Sequence, residues 1–281
     1  MPSPVLNYNG KLYNEGELLI SPNNRSFRYG DGCFETMKMI RGKIVLRDLH
    51  FERLFSSLET LQLDVPKFFT ANTLEQQVFE LAKANGHEKL GRVRLMIFRG
   101  DGGLFDVDNH ANYVIQTLEM NAANNSFNEN GLVTGIFTDA RKAYDKFSPI
   151  KNNNYLCYAM AALWAKQNKL NDAFVLNTYD RVAEASIANI FIINNGIIKT
   201  PAITEGCISG VIRRYMLQCF RKDGIPVEET AITVQDIEQA QEILLTNAAY
   251  GMRWVKSCGN SNYTLQVAPL LYKKYIEPLY L

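Results

Sequence analysis

Apolar positions along the chain change period several times, and each change marks an element. Glu35 to Ile40 and Gly42 to Leu46 read as the two arms of a hairpin. Leu49, Leu54, Leu58 and Leu61 then recur at helical spacing, with Asp48 standing where a cap would sit. Leu74, Val78 and Leu81 line one face of a second helix over 74–84. Val93 to Phe98 and Tyr113 to Leu118 are short apolar runs that predict strands. The period is lost over 121–130, where five asparagines fall in a polar stretch.

The alternation resumes after that stretch. Leu132 to Phe137 predicts a strand, and Tyr155 to Lys166 predicts a buried helix. Ala173 to Leu176 and Val182 to Ala185 predict strands around a turn at Thr178-Tyr179-Asp180. Ile190 to Ile198 is a hairpin, because Asn195-Gly196 tolerates positive φ at both turn positions. Gly210 to Arg221 has helical spacing with Gly224 beyond its end, and Ile243 to Leu245 is a last strand. These elements predict an α/β fold (α+β type) in two domains. The expected division is a small N-terminal α/β domain over 1–120, a linker over 121–130 and a larger C-terminal α/β domain over 131–281.

Composition narrows the class without naming an activity. Thirty basic and 29 acidic side chains in 281 residues offer no general attraction for a polyanion. Nucleic acid and membrane surfaces are therefore not expected partners. The longest apolar run, Tyr155 to Ala165, is too short to span a bilayer. Met1-Pro2-Ser3-Pro4 lacks the basic region and apolar core of a leader. Cys33, Cys157, Cys207, Cys219 and Cys258 are odd in number and form no CxxC pair, which suits reduced thiols in a cytoplasmic protein. The three histidines are far apart, and no metal site is expected from them.

The chain carries no P-loop, GxGxxG or GxSxG motif. Gly30-Asp31-Gly32 and Gly100-Asp101-Gly102-Gly103 read as turns. Three segments are less ordinary. Ser209-Gly210 precedes a helix start, either as a plain cap or as an anion site formed by free N–H groups and the helix dipole. Lys151 lies just ahead of the most apolar helix; it is either an exposed loop lysine or an amine that burial makes nucleophilic toward carbonyls. Glu184 ends a strand among small apolar residues, as a solvated strand end or as an acid held to pair with a cationic ring.

In this order, these segments resemble the fold-type IV enzymes that use pyridoxal phosphate. That family includes branched-chain aminotransferases, D-amino-acid aminotransferases and aminodeoxychorismate lyases. The resemblance runs from Arg25-Ser26-Phe27-Arg28-Tyr29-Gly30 through His50-Phe51-Glu52-Arg53-Leu54, Arg94 to Gly100 and Ile150-Lys151. It continues through Glu184 to Phe191 and Ser209 to Arg213, and ends at Thr246-Asn247-Ala248. It implies that Lys151 is the catalytic residue, carrying the cofactor covalently and then shuttling protons. Glu184 would keep the pyridine nitrogen protonated, so that the ring accepts electrons. Arg53 and the backbone N–H groups of Val211 and Ile212 would hold the phosphate. Tyr155, Asn189, Gly210, Asn247 and Ala248 complete the implied cofactor site. A homodimer with its site near the subunit interface is also implied.

The members share their first steps, and the pocket decides the rest. Glu35, Tyr29, Phe34 and Arg94 look like branched-chain aminotransferases, where the arginine meets the side-chain carboxylate of glutamate. Asn247-Ala248 and Gly32-Cys33-Phe34 look like aminodeoxychorismate lyases. Arg99-Gly100 matches a carboxylate-trapping arginine of D-amino-acid aminotransferases. The expectation is an aminotransferase moving an amino group between an amino acid and a 2-oxo acid, with Tyr29, Phe34, Glu35, Arg94 and Arg99 on the substrate. The alternatives are the lyase, which releases pyruvate and 4-aminobenzoate, the D-amino-acid enzyme and a non-catalytic relative.

Overall fold

The computed structural model describes residues 4–17, 20–106 and 108–281. Met1, Pro2 and Ser3 lie outside the described residues. The chain forms two compact units. One runs up to Ala122 and includes Ile150–Asn154; the other holds Ala123–Pro149 and Tyr155–Leu281.

The first unit contains β1 (Val5–Tyr8), β2 (Lys11–Asn14), α1 (Arg25–Tyr29), β3 (Gly32–Ile40), β4 (Lys43–Ile44), α2 (Arg47–Thr60), α3 (Ala71–Ala84), β5 (Leu90–Arg99) and β6 (Ala111–Glu119). Its strands form an antiparallel sheet in the order β2-β1-β6-β5-β3-β4. Side chains on β3 alternate between faces. Cys33, Met37 and Met39 join Leu54, Leu58, Val93, Leu95 and Ile97 in the core. Glu35 shares their parity and Phe34 does not. The β1–β2 hairpin turns at Asn9-Gly10, both at positive φ, the same dipeptide signal that marks the later hairpin. Helix α2 differs from expectation at its start. Leu46 occupies the cap position at φ 53 with no side-chain bond to the helix, while Asp48 lies in the first turn and pairs with Arg47.

The second unit contains β7 (Leu132–Lys142), α4 (Leu156–Gln167), β8 (Asp172–Asn177), β9 (Val182–Ala185), β10 (Asn189–Asn194), β11 (Ile197–Pro201), α5 (Val211–Lys222), β12 (Val227–Thr230), α6 (Val234–Glu238), β13 (Glu242–Asn247), β14 (Gly251–Cys258), β15 (Ser261–Asn262) and α7 (Ala268–Leu271). Its mixed sheet runs β12-β11-β10-β13-β14-β7-β8-β9, and β15 pairs with β14. The β10–β11 hairpin turns at Asn195 and Gly196 with φ 49 and 77, as its sequence requires.

Two boundaries and the burial of one helix differ from the sequence reading. Most of 121–130 is not a free connection. Asn128 accepts from the N–H of Trp254 and donates to its carbonyl, and Arg253 donates to the Ser126 carbonyl, so this stretch is fastened to the second unit. Ile150–Asn154, expected within the second domain, belongs to the first unit. Helix α4 is buried on one side only. Tyr158, Ala161 and Ala165 are buried, but Leu156, Met160 and Leu163 are 73%, 44% and 46% exposed in the single chain.

Candidate active site

In the first unit, backbone bonds fix Lys151. The Phe34 N–H donates to the Lys151 carbonyl at 2.8 Å, and the Asn153 N–H donates to the Gly32 carbonyl at 3.0 Å. The Lys151 segment thus runs along the start of β3. Its Nζ lies 4.5 Å from the centroid of the Phe34 ring, and the Arg94 guanidinium lies 4.1 Å from the same centroid. Arg94 reaches that ring because Thr36 pairs with Arg94 across the β3–β5 ladder, and Phe34 is two residues away on the same face. Tyr29 ends α1 half-buried, with the Arg28 guanidinium 5.0 Å from its ring centroid.

Glu35 is on the opposite face of β3, and both oxygens of its carboxylate are paired. Arg53 donates from Nε to Oε1 at 2.7 Å and from Nη2 to Oε2 at 2.6 Å. His50 Nδ1 lies 2.7 Å from Oε2. All three residues are buried. Burial would raise the Glu35 carboxyl, but Arg53 and His50 outweigh it and hold it down to about 2. Burial lowers the His50 imidazole, against the pull of Glu35. Glu35 therefore meets Arg53 and His50 where a substrate was expected. Its parity with Cys33 and Met37, aimed at α2, was the sequence signal for that. Arg99 is likewise occupied. Nε donates to Asn109, Nη1 to Asp31, and Nη2 to the Leu61 and Gln62 carbonyls. This occupancy speaks against a substrate role for Arg99.

In the second unit, Glu184 on β9 is 2% exposed. Its Oε1 accepts from Lys142 Nζ at 2.6 Å, from the Tyr158 hydroxyl at 2.5 Å and from the Ile208 N–H at 3.0 Å. Its Oε2 accepts from Asn189 Nδ2 at 3.2 Å. The same Nδ2 donates to the Ile208 carbonyl at 2.8 Å. Burial, then the charge and hydrogen bond of Glu184, raise the Tyr158 hydroxyl well above its ordinary value, so it stays a donor. Tyr155 stacks on Tyr158 with centroids 4.4 Å apart.

Helix α5 begins next to this cluster. Gly210 is its cap residue and makes no side-chain bond to the first turn, where the N–H groups of Val211 and Ile212 lie. A Cβ on Gly210 would fall 1.8 Å from Asn189 Oδ1, so only glycine fits beside Asn189. Ser209 is not the cap. Asn247 ties its own loop to another: Oδ1 accepts from the Ala249 and Tyr250 N–H groups, and Nδ2 donates to the Ile187 carbonyl. Ala248 brings no hydroxyl.

The family model for amino-transferase class IV matches residues 32–258. The chain belongs to that family. Similar curated proteins include a putative branched-chain-amino-acid aminotransferase of Methanocaldococcus jannaschii, 28% identical over 86% of this chain and 83% of its own length. An aminodeoxychorismate lyase of Vibrio harveyi is 27% identical over 82% and 83%, and a D-alanine aminotransferase of Listeria innocua is 26% identical over 85% and 82%. Among solved structures, a branched-chain aminotransferase of Thermoproteus uzoniensis has a TM-score of 0.87 at 24% identity, covering 99% of this chain and 95% of that one. A 4-amino-4-deoxychorismate lyase of Pseudomonas aeruginosa has a TM-score of 0.84 at 19% identity, covering 98% and 100%.

The protein is thus an enzyme of the class IV aminotransferase family, with the fold of its fold-type IV members, and its cofactor is pyridoxal phosphate. The second unit fits that group chemically. Glu184 Oε2 accepts from Asn189 and has room for another donor, and α5 begins at a glycine with no side-chain cap. Sequence reasoning missed His50, Lys142 and Tyr158. His50 and Tyr158 carried a weak signal, as polar residues at apolar helix positions. Lys142 had none, since its role depends on β7 lying two strands from β9, across β8.

Proposed function

We propose that this enzyme is an aminotransferase whose amino donor carries a side-chain carboxylate, as glutamate does. One observation carries the reading: the amine of Lys151 and the guanidinium of Arg94 share the ring of Phe34. A substrate amino group would meet Lys151 while its distal carboxylate meets the guanidinium fork. When bound, pyridoxal phosphate supplies an aldehyde and a ring that accepts electrons. Lys151 supplies the amine that holds the aldehyde and moves the proton at the substrate Cα. Glu184 offers Oε2 to the ring nitrogen. The Val211 and Ile212 N–H groups, with Gly210 leaving them uncovered, bind phosphate at the positive end of α5. Arg53, expected on the phosphate from the family resemblance, forms a buried bidentate pair with Glu35 in the first unit. Tyr155, Asn189, Asn247 and Ala248 line the rest of the cofactor site, and Tyr29 and Phe34 the substrate side.

The test is a half-reaction of the holoenzyme with a panel of L- and D-amino acids. Oxo-acid formation, greatest with glutamate, is expected; no oxo acid from any of them overturns the reading. A second reading is aminodeoxychorismate lyase. Asn247, spent on the Ala249 and Tyr250 N–H groups and the Ile187 carbonyl, and Ala248, without a hydroxyl, favour it, and pyruvate release from that substrate would establish it. The protein partners on every nitrogen of Arg99 weigh against the D-amino-acid reading.

A homodimer belongs to the same proposal. Leu156, Met160 and Leu163, exposed at helical spacing on α4, support a covered face there. Leu163→Asp is expected to move the protein to a monomer in sedimentation; an unchanged mass counts against that face. The expected cytoplasmic location is supported by five free cysteines, of which Cys33, Cys207 and Cys258 are buried. Among the described residues no helix is long and apolar enough to cross a membrane.

A further inference from the structure

The Glu184 carboxylate is held asymmetrically. Three donors from three segments converge on Oε1: Lys142 on β7, Tyr158 on α4 and the Ile208 N–H ahead of α5. Oε2 receives one, from Asn189 on β10. A carboxylate oxygen has about two lone-pair positions, so Oε1 is filled and Oε2 keeps one. We propose that Lys142 and Tyr158 are positioning residues: they decide which oxygen of Glu184 is presented. The proposal rests on the reading that Glu184 serves the ring nitrogen of pyridoxal phosphate.

The physical case begins with burial. A carboxylate this far from water needs donors on its lone pairs, and the ammonium at 2.6 Å from Oε1 is the strongest of them. Lys142 is itself fixed, donating to the Ser148 carbonyl at 3.3 Å with Nζ 5.1 Å from the centroid of the Tyr158 ring. The remaining groups near Glu184 are weaker influences. Asn189 and the Ile208 N–H are neutral donors. The Cys157 and Cys207 thiols feel its charge, but burial raises both and keeps them protonated. Among the described residues, Lys142 is the cation in contact with this carboxylate. Without it, Oε2 would no longer be held toward the ring nitrogen that pyridoxal phosphate would bring, and the protonated, electron-accepting ring would lose its support, although neither Lys142 nor Tyr158 touches a reacting atom.

The test uses holoenzyme reconstituted with pyridoxal phosphate carrying 15N in the ring, with the ring-nitrogen resonance followed against pH. In the wild type this nitrogen is protonated at neutral pH, and E184Q shifts it to the unprotonated position. K142M is expected to lower the pH of half-protonation by at least about one unit, a tenfold change in the proton ratio. Its kcat should fall more than its KM changes. K142R, which keeps the charge, restores the wild-type resonance. Y158F shifts it the same way by less, and removes no charge, so it carries the test if K142M does not fold. A folded K142M or Y158F with the wild-type resonance, beside a shifted E184Q, overturns the proposal and leaves the role of Glu184 standing. An unshifted E184Q overturns the role of Glu184 and the proposal with it.

Discussion

Each unit of the molecule buries a glutamate against a cation, and the two are built differently. Glu35 in the first unit receives Arg53 on both oxygens and His50 on one. Glu184 in the second unit receives three donors on Oε1 and one on Oε2. The partners of Glu35 all come from α2, in contact with the strand that carries it, and one guanidinium bridges both of its oxygens. Those of Glu184 come from separate segments and gather on one oxygen. A carboxylate bridged by a buried guanidinium is scaffold. One whose donors gather on a single oxygen presents the other to another group. Two arginines differ in their surroundings too: the nitrogens of Arg99 reach Asn109, Asp31 and the Leu61 and Gln62 carbonyls, whereas the Arg94 guanidinium lies at the Phe34 ring, as does the Lys151 amine.

The largest expected effect tests the amine around which the comparison turns. Lys151→Ala is expected to lower kcat by at least about a hundredfold. Borohydride followed by intact mass measurement should fix the cofactor on the wild-type chain and not on the variant. The pair of glutamates is next. Glu184→Gln should cut kcat by roughly a hundredfold with little change in unfolding. Glu35→Gln should instead cost about 3–5 kcal/mol in denaturant unfolding, because Arg53 is left buried without its charge partner. Interchanged outcomes would break the comparison.

Acid sharpens it further. The Glu35 carboxyl sits at about 2 in the folded protein against an ordinary 4.5. Its contribution is therefore complete above about 4.5 and is lost as pH falls toward about 2, on the order of 3 kcal/mol in all. The His50 imidazole is lowered, so the unfolded chain takes its proton first and stability already declines below about 6.5. Unfolding followed between pH 7 and pH 3 should show this loss, and Glu35→Gln should flatten its lower part. The smallest effect concerns the two arginines. Arg94→Ala is expected to raise KM for glutamate about tenfold while sparing donors without a distal carboxylate. Arg99→Gln is expected to lower Tm and leave donor preference unchanged.

Much of the architecture is legible in the sequence, because periodicity reports burial directly. The Asn195-Gly196 hairpin and the α3 stripe of Leu74, Val78 and Leu81 follow from local chemistry alone. What escapes depends on long-range pairing. The return of Ile150–Asn154 to the first unit is made by backbone bonds to Gly32 and Phe34, more than a hundred residues earlier, which no local pattern encodes. Lys142 is hidden for the same reason. Its partner Glu184 lies 42 residues away and two strands across the sheet. The exposed apolar face of α4 misleads a burial argument differently, since an apolar side chain does not say what will cover it. For the site, Lys151 and Glu184 stand out through the family resemblance, and Glu35 is misread where β-strand parity would have placed it in the core.

The central claim is that Lys151 and Arg94 serve transfer of an amino group from a carboxylate-bearing donor. Its most direct test is a single turnover of the holoenzyme with L-glutamate, measuring 2-oxoglutarate and pyruvate together. The account predicts about one 2-oxoglutarate per active site and no pyruvate, with the product lost in Lys151→Ala and recovered only at higher glutamate in Arg94→Ala. Pyruvate from aminodeoxychorismate, with no oxo acid from any L- or D-amino acid, would contradict it.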